Sequence, residues 1–278
     1  MIVVTGASGH IGSRAVRRLA DLGLPVTAMG RNEARLRKVI PAHVPLIIAD
    51  YGDPGSLDRA FSSATQLLFV ASDGFADDVI RQHAHVIDAA NRSTIAHAVF
   101  TSIIDVDDGS PFYFAPVYRD AERRLKSARF ASSILRCGLY CDFILQHWLQ
   151  KTLISVPVAD ARIAPISRDD VAAAAVEAVL SASDEARHLT GARSYSMAEI
   201  AAVATGILGR PYRYEGCAPE VYFGRLTAEL EDPWPGAFST LCASIRDGRY
   251  AATSPHLSSE DFESFLRRSA QGQSLSLV

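Results

Sequence analysis

Only four cysteines occur in 278 residues, Cys137, Cys141, Cys217 and Cys242. Cys137 and Cys141 stand four apart, the wrong spacing for a CxxC redox or zinc pair, and no histidine or cysteine cluster completes a metal site. The thiols read as buried or incidental, no metal is expected, and a reducing cytoplasm suits them. A surplus of charge is also missing, since 28 Lys and Arg against 31 Asp and Glu leave a net charge of −3. A general nucleic-acid binder needs a basic face to neutralise phosphates, so that class is excluded. No apolar run approaches the roughly 20 residues that a membrane span needs. The longest candidate, 171–180, is alanine-rich and interrupted by Glu177. The opening Met-Ile-Val-Val-Thr-Gly has no basic region ahead of a long apolar stretch, so no signal peptide is expected.

What is present is a balance of 48% hydrophobic and 21% charged residues, enough apolar material for a sizeable core. Short β-branched runs alternate with helical patterns. Strands are expected at 2–4, 26–29, 46–49, 66–71, 98–100 and 131–136, with helices at 11–22, 34–39, 56–61, 77–91 and 118–128 between them. That alternation implies parallel strands joined by crossovers, an α/β doubly wound parallel sheet. The stretch 103–116, with Asp-Asp-Gly, Ser-Pro and the aromatics Phe112, Tyr113 and Phe114, reads as a loop that closes over a substrate or meets a partner. Further on, short strands are expected at 162–165, 188–189 and 212–214. Helices are expected at 169–180 and at 197–208, the latter capped by Ser196 and ended by Gly209. Residues 219–268 read as three helices, and the polar tail after Ser269 as frayed. The division expected is 1–140 as a nucleotide-binding domain that also receives strands from about 160–192, and 141–278 as a smaller mixed C-terminal substrate or cap region.

Gly6-Ala7-Ser8-Gly9-His10-Ile11-Gly12 places glycines at GxxGxxG spacing, directly after a strand and before a helix. Gly6 permits a tight turn, Gly9 lets the backbone approach a pyrophosphate, and Gly12 allows close packing of the helix. The helix N-terminus offers free N–H groups and partial positive charge to phosphates. This is the context of a Rossmann dinucleotide site. An acidic residue at the end of the second strand would grip a ribose 2′-OH and repel a 2′-phosphate. Here that strand ends in Gly30-Arg31-Asn32, and the Arg31 guanidinium suits a phosphate, which points to NADPH (NADP+). The alternative is a solvated surface arginine.

With this loop, Arg31 and Ala49-Asp50-Tyr51-Gly52-Asp53, the chain resembles the NmrA-like branch of the atypical short-chain dehydrogenases. Its pattern is nearest the bacterial NAD(P)H:quinone oxidoreductases of type 2 and the triphenylmethane reductases. The likeness continues through 67–72, Phe100-Thr101-Ser102, Glu122, 134–140, 166–172 and His188-Leu189-Thr190-Gly191. The resemblance implies a cofactor lying along Gly6, Ala7, Ser8, Gly9, His10 and Ile11, at Arg31, and at Val70, Ala71 and Ser72. It also implies contacts at Cys137, Gly138, Leu139 and Tyr140 and on to Asp142, with Asp50 and Tyr51 beside the adenine. The chain departs from the quinone reductases at Cys137-Gly138-Leu139-Tyr140, where they commonly read Asn-Gly-Trp-Tyr, and at Cys141-Asp142, where they read Glu-Asn.

Many short-chain dehydrogenases use Tyr-x-x-x-Lys, the lysine lowering the tyrosine pKa. The nearest match, Tyr118-Arg119-Asp120-Ala121-Glu122, carries a carboxylate in place of the lysine, which works in the opposite sense. No catalytic acid is therefore assigned. Tyr118 and Tyr140 remain candidates, and Tyr118, Tyr140 and Phe143 are candidate walls of an acceptor pocket. Glu122 is expected to pair on its own helix, for instance with Arg119 or Lys126. His10 reads as a cofactor or helix-end contact, while His83, His85 and His147 show no partner and receive no role. The expected function is direct hydride transfer from NADPH to a quinone or similar flat conjugated acceptor. The alternatives are a non-catalytic NADP(H)-binding regulator of the NmrA type and a tailoring oxidoreductase of secondary metabolism. The expected partner is an aromatic or quinone-like small molecule, bound by a cytoplasmic monomer or homodimer, without nucleic acid or membrane.

Overall fold

The computed structural model describes residues 1–254 and 260–272. The buried strand β1 (Ile2–Val4) turns at Gly6 into α1 (His10–Asp21), whose Ile11, Ala15, Val16 and Leu19 face inward. β2 (Val26–Gly30) follows. α2 (Glu33–Val39) starts where Asn32 accepts the Arg35 N–H, a cap for otherwise unpaired first-turn donors. After β3 (Leu46–Ile48), α3 (Pro54–Phe61) opens on Asp53, which accepts from Gly55 and Ser56, with proline in the first turn. Next come β4 (Gln66–Phe69), α4 (Ala76–Arg92), β5 (His97–Ile103), α5 (Ala115–Lys126) and β6 (Ala131–Cys137). The remaining elements are α6 (Cys141–Phe143), a π-helical turn (Ile144–Trp148), β7 (Leu153–Ile154), β8 (Arg162–Ile163), α7 (Arg168–Ser181) and β9 (Ala186–Leu189). They are followed by β10 (Tyr195–Ser196), α8 (Met197–Leu208), β11 (Arg213–Tyr214), α9 (Pro219–Glu229), α10 (Trp234–Arg246) and α11 (Phe262–Ala270).

Seven strands form one sheet in the order β3-β2-β1-β4-β5-β6-β9. β1 pairs in parallel with both β2 (Ile2 opposite Val26) and β4 (Ile2 opposite Gln66), and β2–β3 and β4–β5 are parallel too. The strand order thus reverses between β1 and β4. At such a switch point the loops leaving the two carboxyl ends diverge and open a crevice.

The chain divides into two compact units. The first is Met1–Ser102, Val117–Arg136 and Val171–Arg187. Its core includes Val3, Met29, Phe61, Leu67, Phe69, Val86 and Phe100. The second unit is Ile103–Pro116, Cys137–Asp170 and the segment from His188 onward. Trp148, Ile154, Ile163, Tyr195, Leu241 and Phe262 are among its core residues. It contains the antiparallel pair β8–β10 and the parallel pair β7–β11. Ser196 and Glu199 close a reciprocal capping box on α8, and left-handed Gly209 (φ 66°) ends it. Among the described residues no helix is long and apolar enough to cross a membrane.

The structure amends the expected elements in four places. The fourth strand stops at Phe69, not at residue 71. The helix expected from 118 begins at Ala115, with Pro116 held in its first turn, where a missing N–H costs little. The π turn and the two-residue strands β7 and β10 are too short for any periodic pattern. The aromatic segment 112–114 is a packed loop. Tyr113 donates its N–H to Thr240 Oγ1 (3.0 Å), and Phe114 meets the Trp234 ring at 6.1 Å. The expected frayed tail beyond residue 272 lies outside the described residues.

Candidate functional site

The crevice at the β1/β4 switch point is a cleft of about 290 Å³. It is lined by Gly6 and Gly9, by the β2 end (Met29, Gly30, Arg31), by Ala49, Asp50 and Tyr51, by Val70, Ala71, Ser72 and Asp73, and by Gln82 of α4. Of the residues expected to touch a cofactor, eight meet here. They are Gly6, Gly9, Arg31, Asp50, Tyr51, Val70, Ala71 and Ser72. Ala7 and Ile11 turn buried side chains inward, so only their backbone is available to a ligand. Ser8 and His10 are half-buried beside the loop.

The glycine loop has different reasons at each position. Gly6 sits at φ +57°, and a Cβ there would lie 3.2 Å from Val70 Cβ. Gly12 is the tightest, because its Cβ would fall 2.5 Å from Gly6 O and 2.9 Å from Ala7 Cα. Its packing partner is therefore the loop backbone and not the strand. Gly9 is exposed, and a Cβ would meet only Gly6 O, at 3.3 Å. The loop is pinned by Ala7 N–H to Met29 O (3.0 Å) and Gly9 N–H to Gly6 O (2.9 Å). Ser13 N–H closes the first helical bond on Gly9 O (2.9 Å). No side chain caps α1 and no acid stands in its first turn. The N–H groups of Ile11 and Gly12 and the positive end of the helix are thus offered to an anion at Gly9.

Arg31 leaves β2 into the same cleft. Glu33, the first carboxylate after it, is drawn along α2 by Arg37 (3.6 Å). The end of the cleft beside Asp50 is stiffened by Tyr51. Its hydroxyl lies 2.5 Å from Thr5 Oγ1 and 2.8 Å from Val70 O, and burial raises its pKa far above the usual phenol range. It is a neutral strut. Asp50 accepts the Gly52 N–H at 2.8 Å, which shapes the turn that carries Tyr51.

The segment 70–72 shows why β4 ends early. Val70, Ala71 and Ser72 donate their N–H groups in turn to Thr5 Oγ1 (3.0 Å), Thr101 Oγ1 (3.0 Å) and His83 Nε2 (3.1 Å). Side chains replace the strand ladder and aim the segment along the cleft. Ser72 Oγ also donates to Gln82 Oε1 (3.0 Å).

The histidine expectations are corrected by these contacts. Because Nε2 of His83 accepts from a backbone N–H, the ring is neutral with its proton on Nδ1. Burial among Phe69, Phe100 and Tyr118 lowers its pKa to about 3. His85 Nδ1 donates to Tyr51 O at 2.9 Å. His147 packs between Phe143 (4.6 Å) and Phe238 (5.1 Å) in the other unit.

Glu122 has partners beyond its own helix. It accepts a fork from Arg136 of β6 (Nε 3.0 Å, NH2 2.6 Å) and a bond from Ser102 Oγ at 2.6 Å. The strand cation binds both carboxylate oxygens at once, as a planar guanidinium can. Tyr118 rests against His83 and Phe100. Cys137, Gly138, Leu139 and Tyr140 stand outside that cleft's lining, with Gly138 N–H donating to Leu189 O at 2.8 Å. Burial raises the Cys137 thiol to about 12 and lifts that of Cys141 well above its ordinary value, so neither is a nucleophile. Tyr140 is half-buried beneath the Arg168 guanidinium, 4.9 Å from its ring centre.

Met29, Gly30, Ala49, Asp73 and Gln82 complete the lining without having been read from the sequence. Four of them flank residues that were, and Gln82 carries no motif.

The cleft has the features that a dinucleotide requires, namely an open Gly9, uncapped helix donors and a guanidinium at the second strand's end. The family model described as NAD(P)H-binding matches residues 6–182. The chain belongs to this family. It is 27% identical to the NAD(P)H azoreductase of Xenophilus azovorans over 77% of this chain and 76% of that one. Among solved structures, it resembles the NADPH-dependent quinone oxidoreductase of Escherichia coli complexed with NADPH (TM-score 0.87, 23% identity, covering 98% and 99% of the two chains). It also resembles the Citrobacter triphenylmethane reductase complexed with NADP(H) (TM-score 0.87, 23% identity, covering 97% and 100%).

Proposed function

We propose that this NAD(P)H-dependent oxidoreductase uses NADPH and reduces a quinone or similar flat conjugated acceptor by direct hydride transfer. The observation that carries the reading is the pairing at α5. Glu122, standing where the proton-relay lysine of many dehydrogenases would be, is locked to Arg136 and Ser102. The position four residues after Tyr118 thus carries a carboxylate held by Arg136 and no lysine, so lysine-assisted acidification of that phenol is not built here. A quinone needs none, because its reduced anion delocalises charge and takes its proton from water. The bound dinucleotide supplies the hydride, and the protein's own contribution is to hold the two rings in register.

In this reading the N-terminal part, to about residue 140, holds the nucleotide, with Arg31 on the 2′-phosphate, and 141–278 selects the acceptor. The relatives support the substrate class, since their names specify an azoreductase, a quinone oxidoreductase and a triphenylmethane reductase. The free thiols at Cys137, Cys141, Cys217 and Cys242 suit a reducing cytoplasm. The test is NADPH oxidation, followed by absorbance, against a panel of quinones, azo dyes, triphenylmethane dyes and enones. Turnover of quinones above the other classes is expected. Tight NADPH binding with no acceptor reduced would instead make the chain a dinucleotide-binding regulator.

A further inference from the structure

A second cleft, of about 250 Å³, lies wholly within the second unit and shares no lining residue with the nucleotide cleft. One wall is the π turn and the strand after it. The turn is closed by Leu149 N–H to Ile144 O (3.0 Å), one residue wider than an α turn, and presents His147 and Trp148 to the cleft. The other wall is a single face of α9, because Tyr222, Arg225, Leu226, Glu229 and Leu230 recur at i, i+3, i+4, i+7 and i+8. Phe238 of α10 lines it as well.

The walls are flat and fixed. Trp148 and Tyr222 are 5% and 6% exposed, and Trp148 Nε1 donates to Tyr222 Oη at 3.4 Å. Phe238 is held edge-on by Phe143 at 5.1 Å. Leu153 leaves apolar surface uncovered at the mouth, where it is 38% exposed. Around these rings stand three charges. Lys151 and Glu229 lie 3.9 Å apart and offset each other. Among the described residues, Arg225 has no carboxylate partner. One terminal nitrogen donates to Ser155 O (2.6 Å) and touches Cys217 Sγ (3.2 Å), and the guanidinium lies 5.7 Å from the Tyr222 ring centre, which holds it at the cleft wall.

Aromatic walls with one uncompensated guanidinium match a ring that carries one negative charge. We propose that this cleft binds a planar aromatic monoanion, an aryl sulfonate or aryl carboxylate, as a ligand site separate from the nucleotide cleft.

The full-length protein is titrated with 2-naphthalenesulfonate by calorimetry and by tryptophan fluorescence. The chain has two tryptophans. Trp234→Phe therefore leaves Trp148 as sole reporter, and calorimetry on the unmodified protein covers that variant's failure to fold. Saturable binding with quenching of Trp148 is expected. Affinity should fall at least fivefold in Arg225→Gln, stay unchanged in Arg213→Gln, and persist in saturating NADPH. The neutral naphthalene-2-methanol should bind more weakly and ignore Arg225→Gln. No saturable binding, equal loss in Arg213→Gln, equal affinity for the neutral ring, or displacement by NADPH would each overturn the proposal. None of these readouts depends on turnover, so they stand apart from the test of the reductase reading.

Discussion

Two glycines three residues apart should fail in different ways. At Gly12 an added Cβ falls 2.5 Å from Gly6 O, whereas ordinary contact begins near 3.4 Å, so the carbonyl must move by about 0.9 Å. That carbonyl already accepts the Gly9 N–H, and the next N–H, of Ala7, is tied to Met29 O. Overpacking of this kind costs roughly 1–3 kcal/mol or more. Alanine returns about 1 kcal/mol of helix propensity. Gly12→Ala should therefore lose up to about 2 kcal/mol, a fall in Tm of up to about 8 °C at 2–4 °C per kcal/mol. NADPH affinity should fall with it, because the displaced loop is the one that faces the phosphates. Gly9 has ordinary φ (−87°) and faces the open cleft. Gly9→Val gives up less than about 1 kcal/mol as a poorer N-cap, yet fills the space a pyrophosphate needs. It should melt near the wild type and bind NADPH at least a hundredfold more weakly. Thermal melts and fluorescence titration of NADPH read the two effects separately. A Gly12→Ala protein that melts and binds like the wild type, or a Gly9→Val protein that still binds at full strength, would refute this account of the loop.

Arg31→Ala should remove most of a preference for NADPH over NADH that is roughly tenfold or more in the wild type, a loss of about 1.5–3 kcal/mol for a charge-assisted pair. Equal wild-type affinities for the two cofactors would contradict it. Tyr118→Phe should keep kcat within about tenfold, since general acid catalysis is worth about a hundredfold to ten-thousandfold. A thousandfold fall in kcat with unchanged NADPH affinity would make Tyr118 a true acid. His83 must stay neutral to accept the Ser72 N–H, and its pKa of about 3 lies below the 6.5 of the unfolded chain. The native state then binds fewer protons, so this group's stabilising effect is complete above pH 6.5 and is lost as pH falls toward 3. From about pH 7 to about pH 5 the loss is roughly 2 kcal/mol. Urea melts should show that loss shrinking in His83→Leu, while His97, also lowered by burial, contributes equally in both proteins. An identical pH dependence in the two would be evidence against a neutral, accepting His83.

Much of the fold was legible because the physics that sets it is local. β-branched runs and the Ser196 cap act within a few residues of the elements they start. The glycine loop belongs to the same class, and Arg31 follows from its place at a strand end. The second unit was read less well. A two-residue strand such as β7 has no period to detect, and a π turn differs from an α turn by one residue of hydrogen-bond reach.

The segment 70–72 was placed in the site by the resemblance, but what holds it there was illegible for a different reason. Residues 70 and 71 are apolar and β-prone enough to read as the end of a strand. The segment leaves the sheet because Thr5, Thr101 and His83 take its N–H groups from sequence distances of 65, 30 and 11 residues. Each partner looks unremarkable alone, a threonine just past β1, a threonine on β5 and a histidine on a helix. A buried neutral histidine has no charge pattern to advertise it, and its acceptor nitrogen has meaning only opposite a backbone donor that has already left its strand. The same holds at Glu122. The helix offers Arg119 and Lys126 as neighbours, but the carboxylate is satisfied by Arg136 fourteen residues away. Pairing within a helix is worth only about 0.2–0.5 kcal/mol, and a bidentate partner on the next strand exceeds it. The loop and Arg31 could thus be read one residue at a time, whereas the supports that aim the cleft exist only once the strands are side by side.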